Sequence, residues 1–262
     1  MPTTYAHDRF GREVYQQLPP EWKRRIRDQK KLYLIGLHGP DLFFYYHPFQ
    51  KNRISELGSR LHQQKASDFF GEQIRKVQEE PCEAMEVYLY GFVCHYLLDS
   101  ACHPYIGEYL SRTGVSHAKI ETCLDRELML MDGKDPLRYH PAAGICPHTV
   151  GNEVIHRCFP SVSVSEIEEC LRGMKRYTRV TICKKEWKRQ FLRTGMKIAG
   201  CYDSMEGRIM PETMDPLCKE GVENLLSLYQ KTLAEAPSVL QNFAEAVRGK
   251  EELSERFSRN FG

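Results

Sequence analysis

Apolar residues recur at helical spacing along almost the whole chain, and no stretch shows the strict alternation of a half-buried strand. This pattern predicts helices over 8–18, 20–37, 53–79, 82–103, 116–131, 149–158, 164–179, 184–202, 216–234 and 237–248. Several ends carry local signals. Ser163 and Glu166 form a capping-box pair ahead of IEECLRGMKRY. Asp215-Pro216 sets a cap residue before a proline at a helix start. Pro104 disfavours helical geometry at His103, so the central helix is expected to end there. Gly114 and Ser116 mark the next turn and cap. The expected fold class is all-α.

At 262 residues the chain is long enough to bury a full core. The Pro- and Gly-containing segment 132–148 is the best boundary candidate, but the second half has no motif of its own. A single domain over 1–262 is therefore expected, with the chemistry in 1–130 and supporting helices in 149–248. A net charge of +2 gives no general drive toward nucleic acid or acidic membranes. No apolar stretch reaches the length of a membrane span or a signal core. The ten cysteines are scattered without a CxxC, and Cys94 and Cys102 lie within an apolar helical run. Reduced thiols and a cytoplasmic location are the expectation.

Candidate chemistry concentrates in residues 91–121, GFVCHYLLDSACHPYIGEYLSRTGVSHAKIE. His95, Asp99 and His103 fall at i, i+4 and i+8, and His117 and Glu121 repeat the four-residue step. On a helix such side chains share one face. Imidazoles and carboxylates are ligands that zinc takes at roughly 2.0–2.2 Å. Five of them on two consecutive segments, among aliphatic and aromatic neighbours, point to a metal site rather than a solvated face. Further upstream, His7 opens an amphipathic segment, Asp41 sits in the turn HGPDLFFYY, and His62 lies on a later helix.

In that order these residues resemble the zinc-dependent phospholipase C family, related to single-strand-specific nucleases with three zinc ions. The resemblance is strongest in CHYLLDSACHPYI and SHAKIE and spans roughly the first 130 residues. It implies one zinc held by Asp41, His62, His95 and Asp99, and a second held by His103, His117 and Glu121. A third would be held by His7 and Asp99, the latter bridging. Two or three zinc ions are thus implied. Two features depart from the family. Asp99 and His103 are separated by three residues, whereas secreted members usually have five. Secreted members also complete one zinc with an N-terminal tryptophan, whereas here six residues precede His7 and none is tryptophan. The His7 site is therefore expected to be the weakest, with His38 as a substitute ligand or a simple turn histidine. His47, His140, His148 and His156 have no family counterpart and read as structural or surface residues.

The implied activity is zinc-dependent phosphodiester hydrolysis of a phospholipase C type, on a phospholipid or another phosphodiester. Asp41 is the candidate to orient or deprotonate the attacking water. A nuclease or nucleotidase with the same cage is the alternative, and a non-catalytic metal-binding scaffold is the third reading. No stable nucleic-acid partner is implied. The His7-Asp8 doublet suggests an HD-type phosphohydrolase, but that family needs a ligand histidine further upstream. There is no G-x-S-x-G elbow and no P-loop. The aromatic run LFFYYHPF (42–49) suits a wall for a choline group or a base, or a piece of core. The basic stretch 174–197 suits anionic lipid, a nucleic-acid backbone or a solvated face.

Overall fold

A computed structural model describes residues 4–148 and 150–262. Among them there are twelve α-helices and no strand. They are α1 (Thr4–Gln17), α2 (Pro20–Asp28), α3 (Lys30–Gly36), α4 (Arg53–Gln63), α5 (Ala66–Glu79) and α6 (Glu83–Thr113). After these come α7 (His117–Met131), α8 (Gly151–Cys158), α9 (Val164–Val180), α10 (Glu186–Ile198), α11 (Tyr202–Met205) and α12 (Lys219–Val247). A 3₁₀ segment, Gly39–Tyr45, follows α3. The all-α expectation holds.

The organising element is α6, which is buried without a break from Val87 to Ser100. A helix apolar on all sides belongs in the middle of a bundle, and α1, α3, α7, α8 and α12 pack around it. Where α3 crosses α6, two glycines bring the backbones together. A Cβ on Gly36 would lie 2.2 Å from the Tyr88 carbonyl, and one on Gly91 would lie 2.4 Å from that of Tyr33. This contact presses the turn after α3, with His38 and Asp41, against the middle of α6.

Pro104 does not end the central helix. Instead α6 continues through it to Thr113 and stops at Gly114, whose φ of 71° is left-handed. An interior proline removes one backbone hydrogen bond and crowds the preceding turn, at a cost of about 3 kcal/mol. Burial of Cys102, Ile106 and Tyr109 on either side of the ring favours continuity. Upstream, Arg256 donates to the Leu97 carbonyl and to Ser100 Oγ, bracing this part of the helix. Pro237 is accommodated in the same way, so the two helices expected over 216–248 are one, α12.

Two other expected helices are split. The segment 20–37 breaks at Gln29. The segment 53–79 breaks at Gln64 and Lys65, both extended. There the amide of Ala66 donates to the Arg259 carbonyl and the amide of Phe261 donates to that of His62. The C-terminal segment thus takes up backbone groups that a continuous helix would have used itself. Local signals hold elsewhere. Ser163 Oγ accepts from the Glu166 amide while Glu166 Oε2 accepts from the Ser163 amide. Asp215 caps a short 3₁₀ turn leading into α12. Ser116 precedes α7 but makes no side-chain cap bond.

Candidate metal centre

The continuity of α6 keeps His95, Asp99 and His103 on one stripe, and the structure gathers the other candidates around Asp99. Asp99 Oδ1 lies 3.1 Å from His7 Nε2 and 3.7 Å from His103 Nε2. Its Oδ2 lies 3.0 Å from His95 Nε2 and 3.7 Å from His62 Nε2. Asp41 adjoins them, with Oδ1 3.1 Å from His62 Nε2 and Oδ2 3.7 Å from His95 Nε2; His7, Asp41, His95 and Asp99 each place a ligand atom within 4.8 Å of the others, and His62 flanks that set through Asp41 and Asp99. A second group adjoins it: Glu121 Oε1 is 2.8 Å from His117 Nε2 and 3.6 Å from His103 Nε2. Ligands about 2.0–2.1 Å from one zinc in a tetrahedron sit about 3.3 Å from each other. The observed separations bracket that edge length.

Hydrogen bonding tests the fit to a metal independently. His95 Nε2, Asp41 Oδ2, Asp99 Oδ2 and Glu121 Oε2 are buried without a hydrogen-bond partner. Such groups cost about 1–3 kcal/mol each when left unsatisfied, and a cation in each ligand group would satisfy them. His62 Nδ1 meets the Gly58 carbonyl at 2.7 Å. A proton on that nitrogen leaves Nε2 as the lone-pair donor toward Asp41 and Asp99, the usual outer support of a metal-binding histidine. The donor set fits zinc.

The fold supplies the positions by devices that differ from element to element. Gly39 has φ +48°, and a Cβ there would lie 2.3 Å from His95 Cδ2. Only glycine lets the Asp41 turn close over that ring. His7 sits in the first turn of α1, stacked on His95 at 4.2 Å. That turn is held by Asp125 of α7, whose two oxygens accept from the amides of Ala6 (2.7 Å) and Tyr5 (3.1 Å). Asp125 was not singled out from the sequence, although it extends the His117–Glu121 step by four more residues. Asp8 points away from the cluster to Arg12 at 2.7 Å, which removes the HD-type reading.

Electrostatics follow from burial set against charge. Burial opposes a charge on His7, but Asp99 offsets it and raises its pKa, while burial prevails at His95 and lowers it. Burial likewise opposes a charge on His103, but Asp99 and Glu121 raise it to about 9. Burial works against ionisation of Asp99 and Glu121 too, yet the surrounding histidines hold both below the usual carboxylate range. Asp125 is pushed up to about 7 by burial, against its two backbone hydrogen bonds. His38 is buried with Nε2 unpartnered and its pKa well below normal, mainly through burial. It stands near His7 and His95 but belongs to neither ligand group. Of the six residues ahead of His7, in which the tryptophan of secreted members has no counterpart, residues 1–3 lie outside the described residues.

A cavity of about 260 Å³ adjoins the second ligand group, with Glu121, Asp125, Thr4, Tyr45, Tyr177 and Arg208 in its wall. Arg208 Nε is buried there without a hydrogen-bond partner among the described residues. Asp41, only 1% exposed, does not line this cavity. Of the aromatic run 42–49, Phe43 is core, Phe44 packs on His62, Tyr45 reaches the cavity and Phe49 is exposed.

A model of the zinc-dependent phospholipase C family matches residues 6–171. The chain belongs to that family. Comparisons with curated proteins and with solved structures each returned no match. The match includes all eight candidate ligands, and a metal-dependent hydrolase is the activity that family and buried cluster fit together. The zinc-dependent phospholipase C match ends within α9, so α10 to α12 and the C-terminal segment lie beyond it. Among the described residues, no helix is long and apolar enough to cross a membrane.

Proposed function

We propose that this chain hydrolyses phospholipids as a phospholipase C with two or three zinc ions. Asp41, His62, His95 and Asp99 would hold one ion, and His103, His117 and Glu121 a second. His7 and Asp99 would hold the third. The observation that carries this reading is Asp99, whose two oxygens face different histidines while both ligand groups leave buried lone pairs unpaired. Zinc in such a cluster supplies polarisation of the phosphoryl oxygens and acidification of water near neutral pH.

The chain's own groups do the rest. Asp41, buried beside His62 and His95, would orient the attacking water and take its proton next to the ion it helps to hold. Asp125 is a positioning residue: both its oxygens are engaged by the α1 amides, which fixes His7. Arg208 brings a guanidinium, its Nε without a hydrogen-bond partner among the described residues, into the cavity beside Glu121 and Asp125, suited to non-bridging phosphoryl oxygens. His117, with a side chain 41% exposed, lies where substrate can enter. That opening argues against a sealed, non-catalytic metal scaffold.

The test is metal analysis of purified protein together with product assays on phosphatidylinositol, phosphatidylcholine and single-stranded DNA. Diacylglycerol release that is abolished by chelation and restored by zinc is expected. Acid-soluble nucleotides without diacylglycerol would replace this reading with the nuclease. Protein that binds no transition metal would remove both.

A further inference from the structure

The charge of this chain is strongly segregated. Between Arg172 and Lys197 there are ten Lys or Arg residues and one acid, Glu186, in a chain whose net charge is only +2. Part of this segment forms a groove lined by His140, Arg172, Lys175, Arg176, Arg179 and Lys188, with no carboxylate in its wall. Lys184 and Lys185 are exposed beside it.

Helix α10 continues from the groove and is partnered on one side only. Arg189 is its buried residue, donating to the Cys183 carbonyl at 2.9 Å. Its opposite side carries Trp187, Phe191 and Ile198, exposed by 67%, 71% and 84%. At 100° per residue these three fall within about 40° of one another. Three large apolar side chains in one outward stripe, bordered by lysines, form the pattern of a helix lying in a membrane interface.

We propose that α10 and the end of α9 dock this protein on an anionic phospholipid surface. Trp187, Phe191 and Ile198 enter the interface, and the basic groove with Lys184, Lys185 and Lys197 contacts the headgroups. Charge complementarity selects the occupant, since Lys175, Arg176, Arg179 and Lys188 line the groove without a carboxylate among them, only Arg172 being paired, with Glu168 at 2.5 Å, and anionic leaflets attract each such residue at short range. The apolar stripe selects lipid over nucleic acid: Ile198 has no π-face and gains nothing from stacking on bases. Position supports the same assignment. Tyr177, Thr178, Thr181 and Ile182 line the cavity beside Glu121, while Arg176, Arg179 and Val180 of the same stretch line the groove. Docking on this face would bring the cavity close to the lipid that the proposed activity cleaves. The substrate side of this inference rests on the proposed function; the docking itself does not.

The experiment measures sedimentation of the full chain with vesicles of phosphatidylcholine alone and with 30% phosphatidylserine, a composition chosen here at roughly the anionic content that draws basic segments. Wild type should bind the anionic vesicles at low salt, with Trp187 emission quenched by brominated acyl chains. The combined variant Trp187→Ala, Phe191→Ala, Ile198→Ala should bind at least tenfold more weakly. Its circular dichroism and its turnover of a monomeric short-chain phospholipid should match wild type. A second variant, Lys184→Gln, Lys185→Gln, Lys188→Gln, should lose the preference for anionic vesicles. Equal vesicle binding by wild type and the apolar-stripe variant would overturn the proposal. So would tighter binding of a single-stranded oligonucleotide that displaces the vesicles. Stripe-dependent vesicle binding with no hydrolysis of the monomeric lipid would uphold the docking face and refute the catalytic reading instead.

Discussion

Replacing Asp99 by asparagine tests the centre of the metal cluster with the least disturbance to packing. The side chains are nearly isosteric, so the buried middle of α6 should keep its neighbours. What changes is chemical: the amide keeps one good acceptor, loses the negative charge and turns the other oxygen into a donor. Asp99 Oδ1 faces His7 and His103, and Oδ2 faces His95 and His62, so either amide orientation sets an NH₂ against histidine nitrogens. In the proposed assignment two zinc positions would share this carboxylate, and they should weaken together. Changes to groups that merely support a metal ligand already cost about 10–100-fold in affinity or activity, and removal of a preorganised charge at a reacting centre costs about 100–1,000-fold. A loss of activity of at least about a hundredfold is expected, with zinc content falling at two sites. His117→Asn should deplete one site only, the one shared with His103 and Glu121. Zinc stoichiometry by mass spectrometry, diacylglycerol release and helicity by circular dichroism are measured on both variants beside wild type. Folded Asp99→Asn with full zinc content and normal turnover would refute the bridging role.

Asp125→Ala should destabilise the protein by about 1–2 kcal/mol, as loss of a helix N-cap does, and lower occupancy at His7 before the other sites; chemical denaturation and metal titration check it. Metal-free protein should lose stability as pH rises. His103 is raised to about 9 in the folded state, so its contribution is full below its unfolded pKa and is lost as pH passes 9. A shift of that size corresponds to about 3 kcal/mol at most. Zinc-loaded protein, whose histidine ligands must be neutral, should lack this contribution, and melting temperatures at pH 6 and 9 with and without chelator compare the two. Arg208→Gln should reduce kcat/KM for phospholipid by tenfold or more with zinc content unchanged, and Arg208→Lys should restore part of it; equal activity in all three proteins would exclude a phosphate contact.

The residues able to bind a metal were legible in the sequence because a helix writes its geometry into spacing. His95, Asp99 and His103, and then His117 and Glu121, advertise shared faces by four-residue steps alone. The all-helical class was legible for the same reason. Family resemblance added His7, Asp41 and His62, which no local period connects. What tertiary structure decided concerns groups whose partners are remote in sequence. Pro104 reads locally as a stop, yet burial on both sides carries α6 past it and keeps His103 in register. The breaks at Gln29 and Gln64 have no strong local signal, and the second depends on Arg259 and Phe261 taking over backbone groups nearly two hundred residues away. Asp125 continues the four-residue step of His117 and Glu121, but its role was not legible because its partners are the main-chain amides of another helix. Arg208 and the stripe on α10 stand out only in three dimensions, since a missing partner is a property of surroundings, which residue order does not carry.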